Sequence, residues 1–273
     1  MKSWNRRQKA LLLSAAGLAL LAAVLLAGAA LEAAALKTDF SRKNLPPCPA
    51  FLFGTDWMGR DMLARTLAGL SLSLRIGLLT AAVSAGVALL LGTLAAWNRL
   101  LDGIVSWVID LMLGIPHILL VILISLAFGR GFWGVTAGIA LSHWPSLARL
   151  FRGEVLQLRQ APYVQAAQKL GTGRWALFRR HLLPHLLPQF LTGLVLQFPH
   201  AILHEASVTF LGFGLPPEQP AVGIILSESM RHLTTGQWWL SLFPGLALVL
   251  TVTLFAALGE VLRRLSDPAS VHE

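Results

Sequence analysis

Six long apolar runs constrain this 273-residue chain more than any other feature of its sequence. About 20 apolar residues in a helix cross a hydrocarbon core of roughly 30 Å. Since lipid offers no hydrogen-bond partners, the backbone of such a run must pair with itself, as it does in a helix. The runs cover residues 10–31, 73–97, 104–128, 132–150, 186–211 and 238–262. The sequence therefore predicts an all-α, polytopic membrane protein with six transmembrane helices.

Composition and charge agree with this class of protein. Hydrophobic residues make up 55% of the chain and charged residues only 13%. A net charge of +9 would suggest a nucleic-acid partner in a soluble protein, but here most Lys and Arg residues cluster between the apolar runs. We interpret them as charges that orient the chain, with the basic segments on the cytoplasmic side of the inner membrane, and predict no nucleic-acid partner. The basic residues within 32–70 weaken this pattern without reversing it.

The amino terminus carries four basic residues, Lys2, Arg6, Arg7 and Lys9, before the first apolar run. A cleaved signal peptide is one interpretation, but its apolar core is typically about 7–15 residues, and this run is longer. We therefore predict an uncleaved first span within residues 1–31 and cytoplasmic amino and carboxyl termini. The single cysteine, Cys48, excludes an internal disulfide or a cysteine metal cluster.

A polar and basic segment, residues 163–184, separates the fourth and fifth apolar runs. If its first half is helical, one face collects residues at the i, i+3, i+4 and i+7 positions, namely Tyr163, Ala166, Ala167 and Leu170. Gly171 and Gly173 are expected to end this helix, because glycine continues a helix poorly. Such a segment is too polar to cross a bilayer. Its apolar face is expected to lie against a partner or, alternatively, to pack on its own protein.

A second short helix is predicted after the two glycines. Its apolar face would carry Trp175, Phe178 and Leu182. Pro184 is expected to end it, because proline lacks the backbone N–H that a helix interior needs.

The spacing within this segment resembles the EAA loop of ABC importer permeases, E-A-A-x3-G-x9-I-x-L-P. Gln165 stands in the place of the glutamate and His181 in that of the isoleucine. The resemblance implies that residues 152–185 form a cytoplasmic coupling loop, whose helix sits in a cleft of the ATPase subunit. It assigns the coupling contacts to Tyr163, Gln165, Ala166, Ala167, Gly171 and Pro184.

A second string, FGTDWMGRDMLARTLAGLSLSLRIG at residues 53–77, contains two acidic and three basic side chains. From the residues alone, Asp56 and Asp61 with Arg60 and Arg65 form a helix-capping and ion-pair set at the membrane face. The string also resembles GTDxxGRDxLSRLxxGxRxSLxxG, the signature of the second permease in dipeptide, oligopeptide and nickel importers.

Two further strings carry the same resemblance, EASVTFLGFG at residues 205–214 and LRRLSDP at residues 262–268. The family implies a single permease domain over residues 1–273, with the ABC importer type I fold and core spans in 72–262. It implies a homologous permease, two ATP-binding subunits and an external solute-binding protein as partners. ATP and Mg²⁺ would be bound by the ATPases, so no cofactor is expected in this chain.

The sequence contains no motif for covalent chemistry. It has no GxxxxGK[ST] loop to hold nucleotide phosphates. His204-Glu205 is not a zinc-protease HExxH motif, since Val208 occupies the position of the second histidine. We predict a transport subunit without catalytic residues.

Polar groups inside the apolar runs are candidates for the translocation path. A charge at the bilayer centre costs about 2.5–3.5 kcal/mol on insertion scales, so Asp110 and Glu205 should face protein or water. His200 and His204 are four residues apart and therefore share a helix face, where two imidazoles could bind one metal ion. The alternative is that both only make hydrogen bonds between helices. His143 is the remaining candidate.

The same residues bear on the cargo. His200, His204 and the Ser142-His143-Trp144 string resemble nickel permeases of this family, whereas Glu205 resembles the peptide members. We expect nickel, another transition metal or a metal chelate as cargo, with di- or oligopeptides as the alternative. A hypothesis of another class is a membrane scaffold or receptor that transports nothing.

Overall fold

The structure, a computed structural model, describes residues 6–266 and confirms the all-α fold. In this range the chain forms no strand, only two isolated β-bridges. The helices are α1 (Arg6–Ala30), α2 (Glu32–Leu36), α3 (Met62–Trp97), α4 (Arg99–Gly114), α5 (His117–Ala127), α6 (Phe132–Gln160), α7 (Pro162–Lys169), α8 (Arg174–Leu177), α9 (Leu183–Phe210), α10 (Val222–Ser229) and α11 (Trp239–Ser266). The two chain termini and Pro268 of the tail motif lie outside the described residues.

Within residues 6–266, four stretches are long and apolar enough to cross a membrane. They lie at Leu12–Ala30, Met62–Trp97, Arg174–Phe210 and Trp239–Arg264. They match the first, second, fifth and sixth predicted spans, although α3 begins at Met62 rather than at Ser73. The fourth predicted span forms the first part of α6, which continues to Gln160 and is not one of these four stretches.

The third predicted span is not one straight helix. The chain bends by 105° between its two halves, α4 and α5. Pro116 explains the break, because proline forces the preceding residue out of the helical region, and Ile115 is extended (φ −89°, ψ 136°). At 1.5 Å per residue, α4 is about 24 Å long and α5 about 16 Å, so neither half spans a 30 Å core alone.

The centre of the bundle is α3, which packs against α1, α6 and α9. Small residues allow the close crossing with α6. A Cβ atom on Gly92 would lie 2.5 Å from the carbonyl oxygen of Ala148 and 3.0 Å from Cβ of Phe151. Phe151 is fully buried in the cluster that these helices form with Leu182 and Leu186 of the α9 region.

This crossing predicts that one substitution has very different effects on stability at two glycines of α3, Gly92 and Gly86. We expect Gly92→Leu to destabilise the protein by about 3 kcal/mol or more, because backbone atoms of α6 cannot yield as side chains do. Gly86→Leu is the matched control, since a Cβ atom added there would have no other atom within 4 Å. Accumulation in the membrane and thermal unfolding in detergent measure both variants. Equal stability of the two would contradict the described crossing.

Residues 32–61 and α10 form a structure that we call the cap, at the end of the bundle where α3 begins. The carboxylate of Asp61 caps α3, accepting hydrogen bonds from the N–H groups of Leu63 (2.8 Å) and Ala64 (3.4 Å). The loop after α9 contains α10. This helix packs on α3, α9 and α11 through apolar residues such as Val222 and Ile225.

A buried ion-pair network ties the cap to α3. Asp56 is fully buried, and its Oδ2 accepts hydrogen bonds from Arg60 Nε (2.6 Å) and Arg65 Nη1 (2.7 Å). Arg65 Nη2 also donates to Glu228 of α10 (3.0 Å). These contacts confirm the predicted capping and ion-pair set, and they explain why the string combines aspartates and arginines at this spacing.

Candidate functional site

The EAA-like segment, residues 163–184, lies at the end of the bundle opposite the cap. It begins with α7 and turns at Gly171, whose φ of +83° is the left-handed conformation that glycine adopts without strain. The helix therefore ends where the sequence predicted. Val164 is fully buried and holds α7 on the bundle.

The predicted docking face of α7 is uncovered in this chain. The side chains of Tyr163 and Leu170 are 51% and 87% exposed. Gln165 and Ala166 are exposed and Ala167 is half-buried. An apolar helix face that is held on one side and open on the other is suited to a groove on a second protein.

The second half of the segment differs from the prediction. Trp175 is 72% exposed whereas Leu182 is fully buried, so the bundle covers only part of the predicted apolar face. Pro184 does not end a helix but lies in the first turn of α9. A π-helical turn at Phe178–Leu182 precedes it, and this wider turn removes the clash that proline would make in a regular α-helix.

Next to this segment, an apolar groove of about 410 Å³ runs along the last turns of α3. Arg174, Trp175 and Phe178 form one wall, and Leu94 and Trp97 of α3 belong to the other. The groove adds a second exposed apolar surface at this end of the bundle.

The middle of the bundle brings together three histidines from three helices. His117 begins α5, His143 lies in α6 and His204 lies in α9. One ring nitrogen from each lies within 4.8 Å of the others. The ring centroid of His117 is 4.5 Å from that of His143 and 4.4 Å from that of His204.

The histidine cluster has a defined set of neighbours. Nδ1 of His143 hydrogen-bonds the carbonyl oxygen of Ile139 at 2.9 Å, which leaves Nε2 as the unshared nitrogen. Nδ1 of His117 is buried and has no hydrogen-bond partner among the described residues. Gln197 Nε2 donates to the backbone carbonyl of His143 (3.2 Å) and joins α9 to α6 beside the cluster.

The other path candidates are not members of this cluster. His200, one turn before His204, is exposed and lines a groove of about 630 Å³ with Gln197, Leu196 and Ser146. Asp110 is exposed on α4 and pairs with Arg149 of α6. The structure places His204 with histidines of two other helices, and the pairing of His200 with His204 stays a prediction.

Glu205 faces away from the histidines. It is fully buried, and its two carboxylate oxygens accept hydrogen bonds from the hydroxyl groups of Ser73 on α3 and Thr209 on α9. Its neighbours are protein groups, as expected for an ionisable residue inside an apolar run. The geometry gives Glu205 a role in joining α3 to α9.

These features define a class of protein: a multi-helix membrane subunit with an exposed apolar helix between two spans and polar groups in its interior. Its family follows from comparison with known proteins. The family described as "Binding-protein-dependent transport system inner membrane component" matches residues 88–271. The chain belongs to this family and is a permease subunit of an ABC importer, a multi-pass inner-membrane protein with the type I permease fold.

Individual relatives cover most of the chain. A protein of Brucella suis named as a peptide transport system permease is 37% identical over 85% of this chain and 78% of its own length. The dipeptide transport system permease protein of Bacillus subtilis is 30% identical over 85% of this chain and 73% of its own length. An Escherichia coli protein named as a D,D-dipeptide transport system permease is 35% identical over 84% of this chain and 77% of its own length.

The comparisons confirm several predictions, and they favour a different cargo from the one that was expected first. The resemblance to the dipeptide, oligopeptide and nickel branch is confirmed, and so is the prediction that the chain is not an enzyme. The relatives are transport subunits, which leaves the scaffold hypothesis without support. Their names support the peptide alternative better than the nickel or metal cargo that the histidines suggested.

Sequence reasoning missed His117. It follows Pro116 within an apolar run that hydropathy presents as one unbroken span. With the proline taken as a helix break, His117 becomes the first residue of a new helix and a candidate to face the interior.

Proposed function

We propose that this chain is the permease subunit through which an ATP-driven importer moves di- or oligopeptides into the cell. The observation that carries the proposal is the peptide and dipeptide transport named for its relatives, at 30–37% identity over most of the chain. The partners would be a homologous permease, two ATP-binding subunits and an extracytoplasmic solute-binding protein. ATP and Mg²⁺ would be bound by the ATP-binding subunits.

The exposed face of α7 would dock in the ATPase subunit. Its accessible positions, Tyr163, Gln165 and Ala166, are the ones that the EAA resemblance assigns to coupling, and Gly171 sets the turn that follows. Pro184 lies inside the base of α9 and would act through that helix. In this proposal the end with the EAA-like segment faces the cytoplasm, together with the first residues of α1 and the last residues of α11.

ATP-driven closure of the two ATPase subunits would push the two coupling loops together and reorient the pore. His143, His200 and His204 are candidates to line the path, because they lie in or beside the interior groove of α6 and α9. The exposed pair of Asp110 and Arg149 lies on a surface that the second permease could cover. Glu205 would hold α3 and α9 together during the movement.

Nickel or another transition metal is the second candidate cargo. The observation that favours it is the histidine cluster, since imidazoles are common ligands of such ions.

Uptake in whole cells distinguishes the two cargoes. Cells with and without this chain would be given radiolabelled di- and tripeptides in one assay, and nickel, cobalt and zinc in metal-poor medium in another. We expect peptide uptake to fall to background without the chain and to return with the wild-type gene. Unchanged peptide uptake together with lost metal uptake would overturn the peptide proposal.

A further inference from the structure

We infer that His117, His143 and His204 form a binding site for one divalent transition-metal ion of the Zn²⁺, Co²⁺ or Ni²⁺ class inside the helical bundle. The inference does not depend on the cargo. It assigns the ion to the permease itself, whether the importer carries peptides or metals.

The first argument is geometric. The three ligand nitrogens lie within 4.8 Å of one another. A tetrahedral ion with metal–nitrogen bonds of about 2.0–2.1 Å needs its ligands about 3.3 Å apart. Each ring is on a different helix, so side-chain rotations that move each nitrogen by about 1 Å bring them to that distance without unfolding any helix.

The second argument concerns the hydrogen bonds of the rings. A metal-binding histidine commonly donates its other N–H to a carbonyl oxygen, which fixes the orientation of the ring. His143 makes this contact through Nδ1 and the carbonyl of Ile139. Buried polar atoms are nearly always paired, so the unpartnered Nδ1 of His117 points to a missing partner at this position.

The ligand set selects the kind of ion. The group of three contains no carboxylate, and the nearest one in sequence, on Glu205, is bonded to Ser73 and Thr209 instead. Three imidazoles suit Zn²⁺, Co²⁺ or Ni²⁺, whereas Mg²⁺ and Ca²⁺ require oxygen ligands. Three protein ligands also leave one position open for an exchangeable ligand.

The location of the cluster indicates what an ion would do. Pro116 precedes His117 at the 105° break between α4 and α5, Pro145 follows His143, and Pro199 precedes His204 within α9. An ion would therefore join three helices near their proline-weakened positions. Its binding should restrict movement of the break and raise the stability of the assembled permease.

Equilibrium dialysis of the purified importer tests this inference. The complex would carry an affinity tag without histidine, in nanodiscs, and would be titrated with Zn²⁺ and, for its optical spectrum, Co²⁺. We expect wild type to bind one more ion per copy of this chain than the variant in which all three histidines are alanine. His117→Ala, His143→Ala and His204→Ala should each weaken this binding more than about tenfold.

One matched variant is the control, and a second tests a rival site. His185→Ala removes an exposed histidine of α9 that is outside the cluster, and it should leave metal binding unchanged. His200→Ala tests a rival pair on α9, and it should weaken metal binding less than His204→Ala does. A loss in His200→Ala equal to that in His204→Ala would overturn the group of three in favour of a pair on α9.

Folding is checked separately. Two measurements identify any variant that fails to assemble: copurification of the partner subunits, and thermal unfolding without metal. At such a position, the histidine is changed to asparagine instead of alanine. Zn²⁺ should raise the unfolding temperature of wild type but not of the cluster variants. Equal metal binding by wild type and the triple variant would refute the site.

Discussion

Arg65→Met is expected to remove the subunit from the membrane almost completely. The change leaves Asp56 fully buried with one of its two arginine partners gone, and Glu228 loses its 3.0 Å contact. Removing one partner of a buried ion pair typically costs about 3–5 kcal/mol. That is a large share of the roughly 5–15 kcal/mol by which folded proteins are stable. The cap would then detach from α3, since Asp56 belongs to the cap and Arg65 to the helix.

The matched control lies in the same cap. Arg42 pairs with Asp39, but the two side chains are 56% and 37% exposed. Because exposed ion pairs contribute about 0–1 kcal/mol, Arg42→Met should accumulate like wild type. Immunodetection in membrane fractions and thermal unfolding of the purified complex measure both changes. If the Arg65 variant were as stable as the Arg42 variant, the network would not be what holds the cap on α3.

Gly171→Trp is expected to abolish uptake and transport-coupled ATP hydrolysis while the subunit still inserts and assembles. Two effects add at this position. Tryptophan at φ +83° strains the turn that ends α7, and its ring would project into the space where the ATPase subunit is proposed to dock. Beyond the neighbouring residues of the chain, no heavy atom lies within 4 Å of the Cβ position, so the bundle itself should fold.

Gly173→Trp separates these effects. Gly173 also has open space around it, but its φ of −64° and ψ of 155° suit any residue. We expect this variant to retain a substantial part of its uptake. Uptake and ATPase activity would be measured in proteoliposomes that contain all subunits. Normal transport by the Gly171 variant would contradict the assignment of α7 as the coupling helix, whereas failure to assemble would show that the turn is needed for folding.

The sequence predicts much of this fold because membrane helices are dictated by length and apolarity, which are local properties. The capping role of Asp61 is also local, as it needs only the next three residues. Hydropathy does not predict the break at Pro116, because the apolar run continues through the proline. A hydropathy value does not depend on whether a residue has a backbone N–H. The buried network illustrates what local reasoning leaves out, since Arg65 and Glu228 meet across 163 positions of sequence.

The histidine cluster shows the same limit. The spacing of His200 and His204 is visible in the sequence, and it suggests that these two act as a pair. The partners that His204 has in the structure come from α5 and α6, and only the packing of three helices places them together. Conversely, the exposed face of α7 was predictable, because a helical period and a glycine stop are enough to define it.

The length of α6 has a mechanical consequence. Between His143 and Gln160 the helix extends about 26 Å, and only Ala161 separates it from α7. Arg152 braces this extension against α4 through Asp102. The extension is therefore a rigid rod with Pro145 near one end and α7 at the other. A rotation of about 5° at the proline would displace α7 by about 2 Å. A small movement of the loop would therefore rotate the helix inside the bundle, because no flexible linker lies between the two.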